Sequence, residues 1–228
     1  MLTTVEKQFS ILFFIIVLLE IITGLVPDLS YAHYIAKPAI VTSLIILFYN
    51  NANNLPSKIK RLTLFALAFS VIGDILLMFV DFSEHYFMFG LVAFLLAHVM
   101  YIFCFLNNKA KTKGTYWFIL LLVAYAVGLF ILLKDGLGDL LLPVVFYILV
   151  ILTMTVSAYI RKKNISEISY LLVLIGALCF MISDSILAIN KFYKAIPYSG
   201  IYIMTTYALA QYLIVLGILK INVTNTKV

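Results

Sequence analysis

The chain of 228 residues is 64% hydrophobic and only 11% charged, with a mean hydropathy of +1.13, which excludes an ordinary soluble domain and identifies an integral membrane protein. Its formal charge of +6 does not mark a nucleic-acid binder, because the 16 Lys and Arg residues sit in short connectors between apolar runs, with no basic face or aromatic platform. Cys104 and Cys179 both fall inside apolar runs, which leaves no disulfide framework and no CxxC redox or metal motif.

In chain order, eight runs are long enough to cross a bilayer of roughly 30 Å at about 1.5 Å per residue. They predict eight transmembrane helices in one domain, residues 1–228, at 9–26, 34–50, 62–80, 87–106, 115–133, 140–160, 168–190 and 200–220. The first, within "MLTTVEKQFSILFFIIVLLEIITGLV", lacks a small-x-small cleavage site and carries Glu20, so it reads as a retained helix and not a leader. Pro27, "NNANNLPSK", "NNKAKTKG", "KDGLGD", "RKKN" and "KAIPYSG" supply the breaks between helices.

With alternating helices, Lys7, Lys58, Lys60, Arg61, Lys109, Lys111, Lys113, Arg161, Lys162, Lys163, Lys220 and Lys227 share one side, and only Lys37, Lys134, Lys191 and Lys194 fall on the other. This bias of twelve against four predicts that both termini are cytoplasmic, which requires an even number of helices. Compactness and the absence of tails point to a bacterial cytoplasmic membrane, with the endoplasmic reticulum as the eukaryotic counterpart. Nothing in the sequence specifies an oligomer.

Helix three contains "FSVIGDILLMF", with Asp74 in an apolar run and no basic neighbour. A carboxyl at the centre of a membrane helix costs roughly 2.5–3.5 kcal/mol on insertion scales, so it is a functional candidate by default. Helix seven repeats the pattern: "VIGDILL" (71–77) aligns with "MISDSIL" (181–187), placing Asp184 opposite Asp74. At a slightly different offset "FLLAHVMY" (94–101) aligns with "YALAQYLI" (207–214). The match suggests two parallel four-helix repeats related by an axis along the membrane normal. Such an axis would bring the two acids to opposite sides of a central cavity.

The remaining deep polar groups are Glu20, His98 and Gln211, with Ser70 a turn before Asp74, Tyr101 three residues after His98, and Tyr207 a turn before Gln211. Gln211, Tyr207 and Ser70 are equally suited to hydrogen bonds between helices. The aspartates are harder to read as structural, because no base lies at their depth. A buried carboxyl without a cation favours its neutral form, which suits a proton donor or a proton-coupled site. A zinc hydrolase would need about three protein ligands, and His33 and His85 fall in or beside connectors; His98 with the aspartates is the residual alternative. No GxSxG elbow, Walker loop or GxGxxG is present. Lys37 in "YIAKPAI" suits either a lipid phosphate or simple snorkelling. On the residues alone, a lipid enzyme and a small proton-coupled transporter or lipid carrier stand nearly level, with a scaffold behind them.

"YIAKP" (34–38), "FSVIGDILL" (69–77), "GLVAFLLAHVMYI" (90–102), "GALCFMISDSILAINKF" (176–192) and "TTYALAQYLIVLG" (205–217), in that order, resemble the signature blocks of the YhhN-like integral membrane proteins, a family that includes the lysoplasmalogenases. The resemblance implies an eight-helix hydrolase that cleaves the vinyl ether bond of a lysoplasmalogen, releasing a fatty aldehyde and glycerophosphoethanolamine or glycerophosphocholine. The family's two signature aspartates would be Asp74 and Asp184, its AHxxY block His98 and Tyr101, and its YxxAQ block Tyr207 and Gln211. One carboxyl would protonate carbon and the other would handle water, with no metal or organic cofactor required. His98, Tyr101, Tyr207 and Gln211 would orient the ether oxygen or the water, and the phosphate would lie near Lys37, Asn190 or Lys191. The partners so implied are a lysophospholipid substrate and membrane lipids, and no nucleic acid.

Overall fold

In the computed structural model, which describes residues 3–221, the protein is all helix: α1 Thr4–Leu25, α2 Ser30–Asn51, α3 Ser57–Leu77, α4 Glu84–Leu106, α5 Thr115–Leu133, α6 Leu141–Tyr159, α7 Glu167–Phe192 and α8 Ser199–Leu219. Seven of these are long and apolar enough to cross a membrane, and α3 falls outside that set because Lys58, Lys60, Arg61 and Asp74 load it with charge. Lys227, one of the residues used to orient the chain, lies outside the described residues.

The helix count agrees with the hydropathy pattern, but the first helix starts five residues before its expected beginning at residue 9. Thr3 and Glu6 form a capping box, with Glu6 N donating to Thr3 Oγ1 (3.2 Å) and Thr3 N to Glu6 Oε2 (2.7 Å). A T-x-x-E pattern satisfies two backbone donors that hydropathy alone does not register. Glu6 also takes an ion pair from Lys220 at 3.1 Å, tying the start of α1 to the end of α8. Farther along the chain, α3 stops at Leu77 and not at residue 80, because the backbone passes into a turn.

Two hairpins, α3–α4 and α7–α8, form the tightest packed pairs. Glycines make the approach close. A Cβ at Gly73 would come within 2.6 Å of Phe94 Cε2, and one at Gly176 within 2.9 Å of the Ala210 carbonyl oxygen. Small residues let membrane helices pack backbone to backbone, where dispersion and polar contacts replace the hydrophobic effect as the driving force. Helix α8 is the central post, buried along most of its length, whereas α5 buries only Leu122, Ala126 and Leu133 and lies on the outside of the bundle.

At the lysine-rich end, Arg161 departs from the role of a surface topology charge. It is fully buried, and Nη1 and Nη2 donate to the carbonyl and hydroxyl oxygens of Ser169, both at 3.1 Å. Nearby, Ala110 N donates to Ile160 O (2.8 Å) and Lys163 N to Asn108 O (2.7 Å), which joins the α4–α5 and α6–α7 connectors. The lysine-rich end is thereby closed, and the main cavity lies at the opposite end.

Candidate active site

Asp74 sits on α3 three residues before its last residue, Leu77, and Asp184 on α7 eight residues before Phe192, so both point into the lysine-poor half of the bundle. They line one cavity of about 360 Å³, together with Glu20, His33, Lys37, Asn190, Lys191 and Tyr207. A second, almost wholly apolar slot of about 50 Å³ runs between α4, α5, α6 and α7 and is lined by Leu91, Leu129, Leu133, Val144, Ile148 and Tyr147. Asp184, Leu77, Phe87, Phe94 and Leu187 line both spaces, so a polar chamber and an apolar slot meet at Asp184.

Each acid is held by one phenol. Tyr207 on α8 donates to Asp74 Oδ2 at 2.8 Å, and Tyr147 on α6 donates to Asp184 Oδ2 at 2.6 Å. Asp74 is 2% exposed and the Asp184 side chain 15%, so Asp184 is the more open of the two. A carboxyl out of bulk solvent is costly unless its lone pairs find donors. The phenols supply one donor each and leave the second oxygen of each acid without a hydrogen-bond donor among the described residues.

His98 lies behind Asp184, with Nε2 3.7 Å from Asp184 Oδ2 and its ring edge-to-face with Phe180 and Tyr147. That separation is too long for a hydrogen bond, and neither ring nitrogen has a hydrogen-bond partner among the described residues. Phe94, Phe180 and Tyr207 stack edge-to-face beneath the cavity, with Phe94 seated over Gly73. Gly73 is thus explained by the ring packed against it.

Of the four residues expected to orient the ether oxygen or the water only Tyr207 lines the cavity; His98 backs Asp184, and Tyr101 and Gln211 join the supporting residue Ser70 away from it. Tyr101 donates to Gln211 Oε1 (2.7 Å), Gln211 Nε2 donates to Ser70 Oγ (2.9 Å), and Ser70 donates to the Ala66 carbonyl (2.9 Å). This buried chain links α4, α8 and α3 behind the site. Its members were placed on the correct helices by sequence, but helical spacing does not say how far a side chain stands from a cavity. Glu20, Lys37, Asn190 and Lys191 do line it. Asn190 Oδ1 is engaged by Ile196 N at 2.8 Å, and Lys191 Nζ stands 5.3 Å over the Phe87 ring.

Two titratable lining residues, Tyr147 and His33, are not singled out by the sequence. Tyr147 lies in "VVFYILV", one of 15 tyrosines, and nothing local singles it out. His33 was set aside as a connector residue; it stands in the first turn of α2, one turn before Lys37 and on the same face, a spacing that could have flagged it. Among the described residues no group of three His, Cys, Asp or Glu side chains is placed to hold a metal ion.

Eight packed helices around a chamber lined by the carboxyls of Glu20, Asp74 and Asp184 define a polytopic membrane protein with an acid site inside the bundle. The chain belongs to the YhhN family, whose model matches residues 32–218. It is similar to a lysoplasmalogenase of Mycobacterium bovis, 29% identical over 191 residues, covering 81% of this chain and 71% of the relative. It is also similar to the human lysoplasmalogenase TMEM86B, 31% identical over 163 residues, 71% of this chain and 65% of the relative. Human lysoplasmalogenase TMEM86A is 32% identical over 153 residues, 66% of this chain and 62% of that protein. No solved structure matches the chain.

Proposed function

We propose that this protein is a membrane hydrolase that cleaves the vinyl ether bond of lysoplasmalogens, with Asp74 and Asp184 as its catalytic pair. The observation that carries the reading is the meeting of a polar chamber and an apolar slot at Asp184, with Asp74 lining the same chamber. A lysoplasmalogen has that division: a polar head group, then a vinyl ether, then one long chain. The lysoplasmalogenases among its relatives support the same substrate class.

Asp184, at the mouth of the slot, carries the proton to the alkene carbon farther from the ether oxygen. Protonation leaves an oxocarbenium ion, which a carboxylate at Asp74 stabilises while it takes a proton from the attacking water. The hemiacetal then collapses: its hydroxyl proton returns to Asp184, and Asp74 passes its proton to the departing glycerol oxygen. One water is consumed, aldehyde and alcohol leave, and both side chains regain their starting protonation. Tyr147 and Tyr207 fix the two carboxyls, and His98 backs Asp184. The chain lies in the slot and the phosphate beside Lys37, Asn190 and Lys191.

The excess of Lys and Arg at one end of the bundle supports cytoplasmic termini, with the chamber toward the opposite face of a bacterial cytoplasmic membrane. The test is aldehyde release by purified protein from a defined lysoplasmalogen. Asp74→Asn and Asp184→Asn are each expected to lower the rate at least a hundredfold; wild-type rates in both would remove the mechanism.

A further inference from the structure

Glu20 differs from the two aspartates in having no phenol to hold it. It is 2% exposed, Oε2 has no hydrogen-bond partner among the described residues, and Oε1 lies 3.7 Å from His33 Nδ1, itself without a partner. That distance is beyond a hydrogen bond. Gly24, one turn after Glu20, leaves room for the His33 ring, since a Cβ there would stand 3.4 Å from His33 Cε1. Lys37 lines the same chamber, yet no ion pair within 4 Å joins it to Glu20 or to any other described acid.

A carboxylate withdrawn from water with an unpaired oxygen is costly until a donor reaches it. A carboxylate and a lysine that share one chamber without pairing with each other are complementary to a zwitterion. The anion of such a ligand faces Lys37, and its cation faces Glu20.

We propose that Glu20, with His33 beside it, is the ammonium subsite for the lysophospholipid head group and selects ethanolamine over choline. This inference rests on the hydrolase reading above and extends it to head-group choice. A primary ammonium carries three N–H donors and can pair with the Glu20 carboxylate where it lines the chamber. A trimethylammonium has none and is bound best by the faces of Trp, Tyr or Phe. The chamber residues contributed by α1 around Glu20 are Ile21, Gly24 and Leu25, which offer no such face; of the three Phe and Tyr rings that line the chamber, Phe87 has Lys191 over it, and Phe94 and Tyr207 pack edge-to-face with each other and with Phe180 on the Asp74 side.

The experiment compares lysoplasmenylethanolamine with lysoplasmenylcholine of the same chain length, using the full-length protein in nanodiscs. Wild type is expected to favour ethanolamine at least tenfold in kcat/KM. Glu20→Gln is expected to cut that ratio at least fivefold, through KM and not kcat, and Lys37→Gln to raise KM for both lipids by a similar factor. Equal use of both lipids by wild type, or an equal loss of kcat for both in Glu20→Gln, would overturn the assignment. If wild type releases no aldehyde from either lipid, the hydrolase reading falls. The subsite is then judged by calorimetry, which must show glycerophosphoethanolamine binding at least fivefold more tightly than glycerophosphocholine. The same comparison on wild type decides the matter if Glu20→Gln does not fold, and equal binding of the two products sinks the proposal.

Discussion

The Tyr147 hydroxyl reaches across from α6 to Asp184 on α7 and donates to Oδ2 at 2.6 Å. Asp74 receives the same service from Tyr207, on α8, at 2.8 Å. The pattern of partners is reciprocal as well: Asp74, in the α3–α4 hairpin, meets α8, while Asp184, in the α7–α8 hairpin, has His98 of α4 3.7 Å away. Each acid therefore faces the second helix of the opposite hairpin, but only Asp74 takes its hydrogen bond from that helix, whereas Asp184 takes its own from α6.

Loss of the Tyr147 hydroxyl is the mildest way to disturb Asp184. Tyr147→Phe keeps the ring against His98 and removes one hydrogen bond to a carboxyl, an interaction worth about 1.5–3 kcal/mol. The expected result is a fall in kcat, per folded molecule, on the order of tenfold or more, beside a lowering of the unfolding temperature by a few degrees. A drop in stability with wild-type kcat would assign the phenol to packing alone.

Gln211 should behave in the opposite way. Its side chain bridges Tyr101 and Ser70 in a buried chain that stays behind the cavity. Gln211→Ala strands the Tyr101 donor and opens a hole, so a destabilisation of about 1–3 kcal/mol is expected. Thermal unfolding in detergent reads the loss, while kcat per folded molecule stays within about threefold of wild type.

The apolar slot makes a prediction about chain length. Leu129 and Leu133 line it from α5, the least buried helix. Leu129→Trp adds bulk where the chain is expected to lie, without touching Asp74 or Asp184. Turnover of lipids with long chains is expected to fall at least tenfold relative to lipids with very short ones, measured by competition in one mixture. Equal losses at all lengths would place the chain elsewhere.

Orientation in the membrane is open to direct chemistry. Lys111 lies in the α4–α5 connector and Asp81 in the α3–α4 turn, at opposite ends of the bundle. In a variant lacking Cys104 and Cys179, a cysteine at 81 is expected to react in whole cells with an impermeant maleimide. A cysteine at 111 is expected to react only after lysis. The reverse pattern would invert the proposed topology.

The eight helices and the two acids were legible in the sequence because both rest on one-dimensional physics. A bilayer demands about 20 apolar residues per crossing, and a carboxyl inside such a run is conspicuous by its cost. Glu20 was legible for the same reason. The early start of α1 was missed because capping is a local backbone matter that hydropathy does not carry. Tyr101, Gln211 and Ser70 were legible as deep polar residues, but not that they form one hydrogen-bonded chain behind the cavity.

What the sequence by itself determined is the architecture of the bundle and the identity of its expensive residues, since burial in lipid penalises charge wherever it falls along the chain. Only the tertiary structure decided which polar groups share a space: Asp74, Asp184, Glu20, His33 and Lys37 around one chamber, with Tyr147 closing on Asp184 from a helix that shows no polar signal of its own. A hydrogen bond between residues 37 positions apart depends on how α6 and α7 pack. Packing of that kind is set by the summed fit of many small apolar contacts and not by any local pattern.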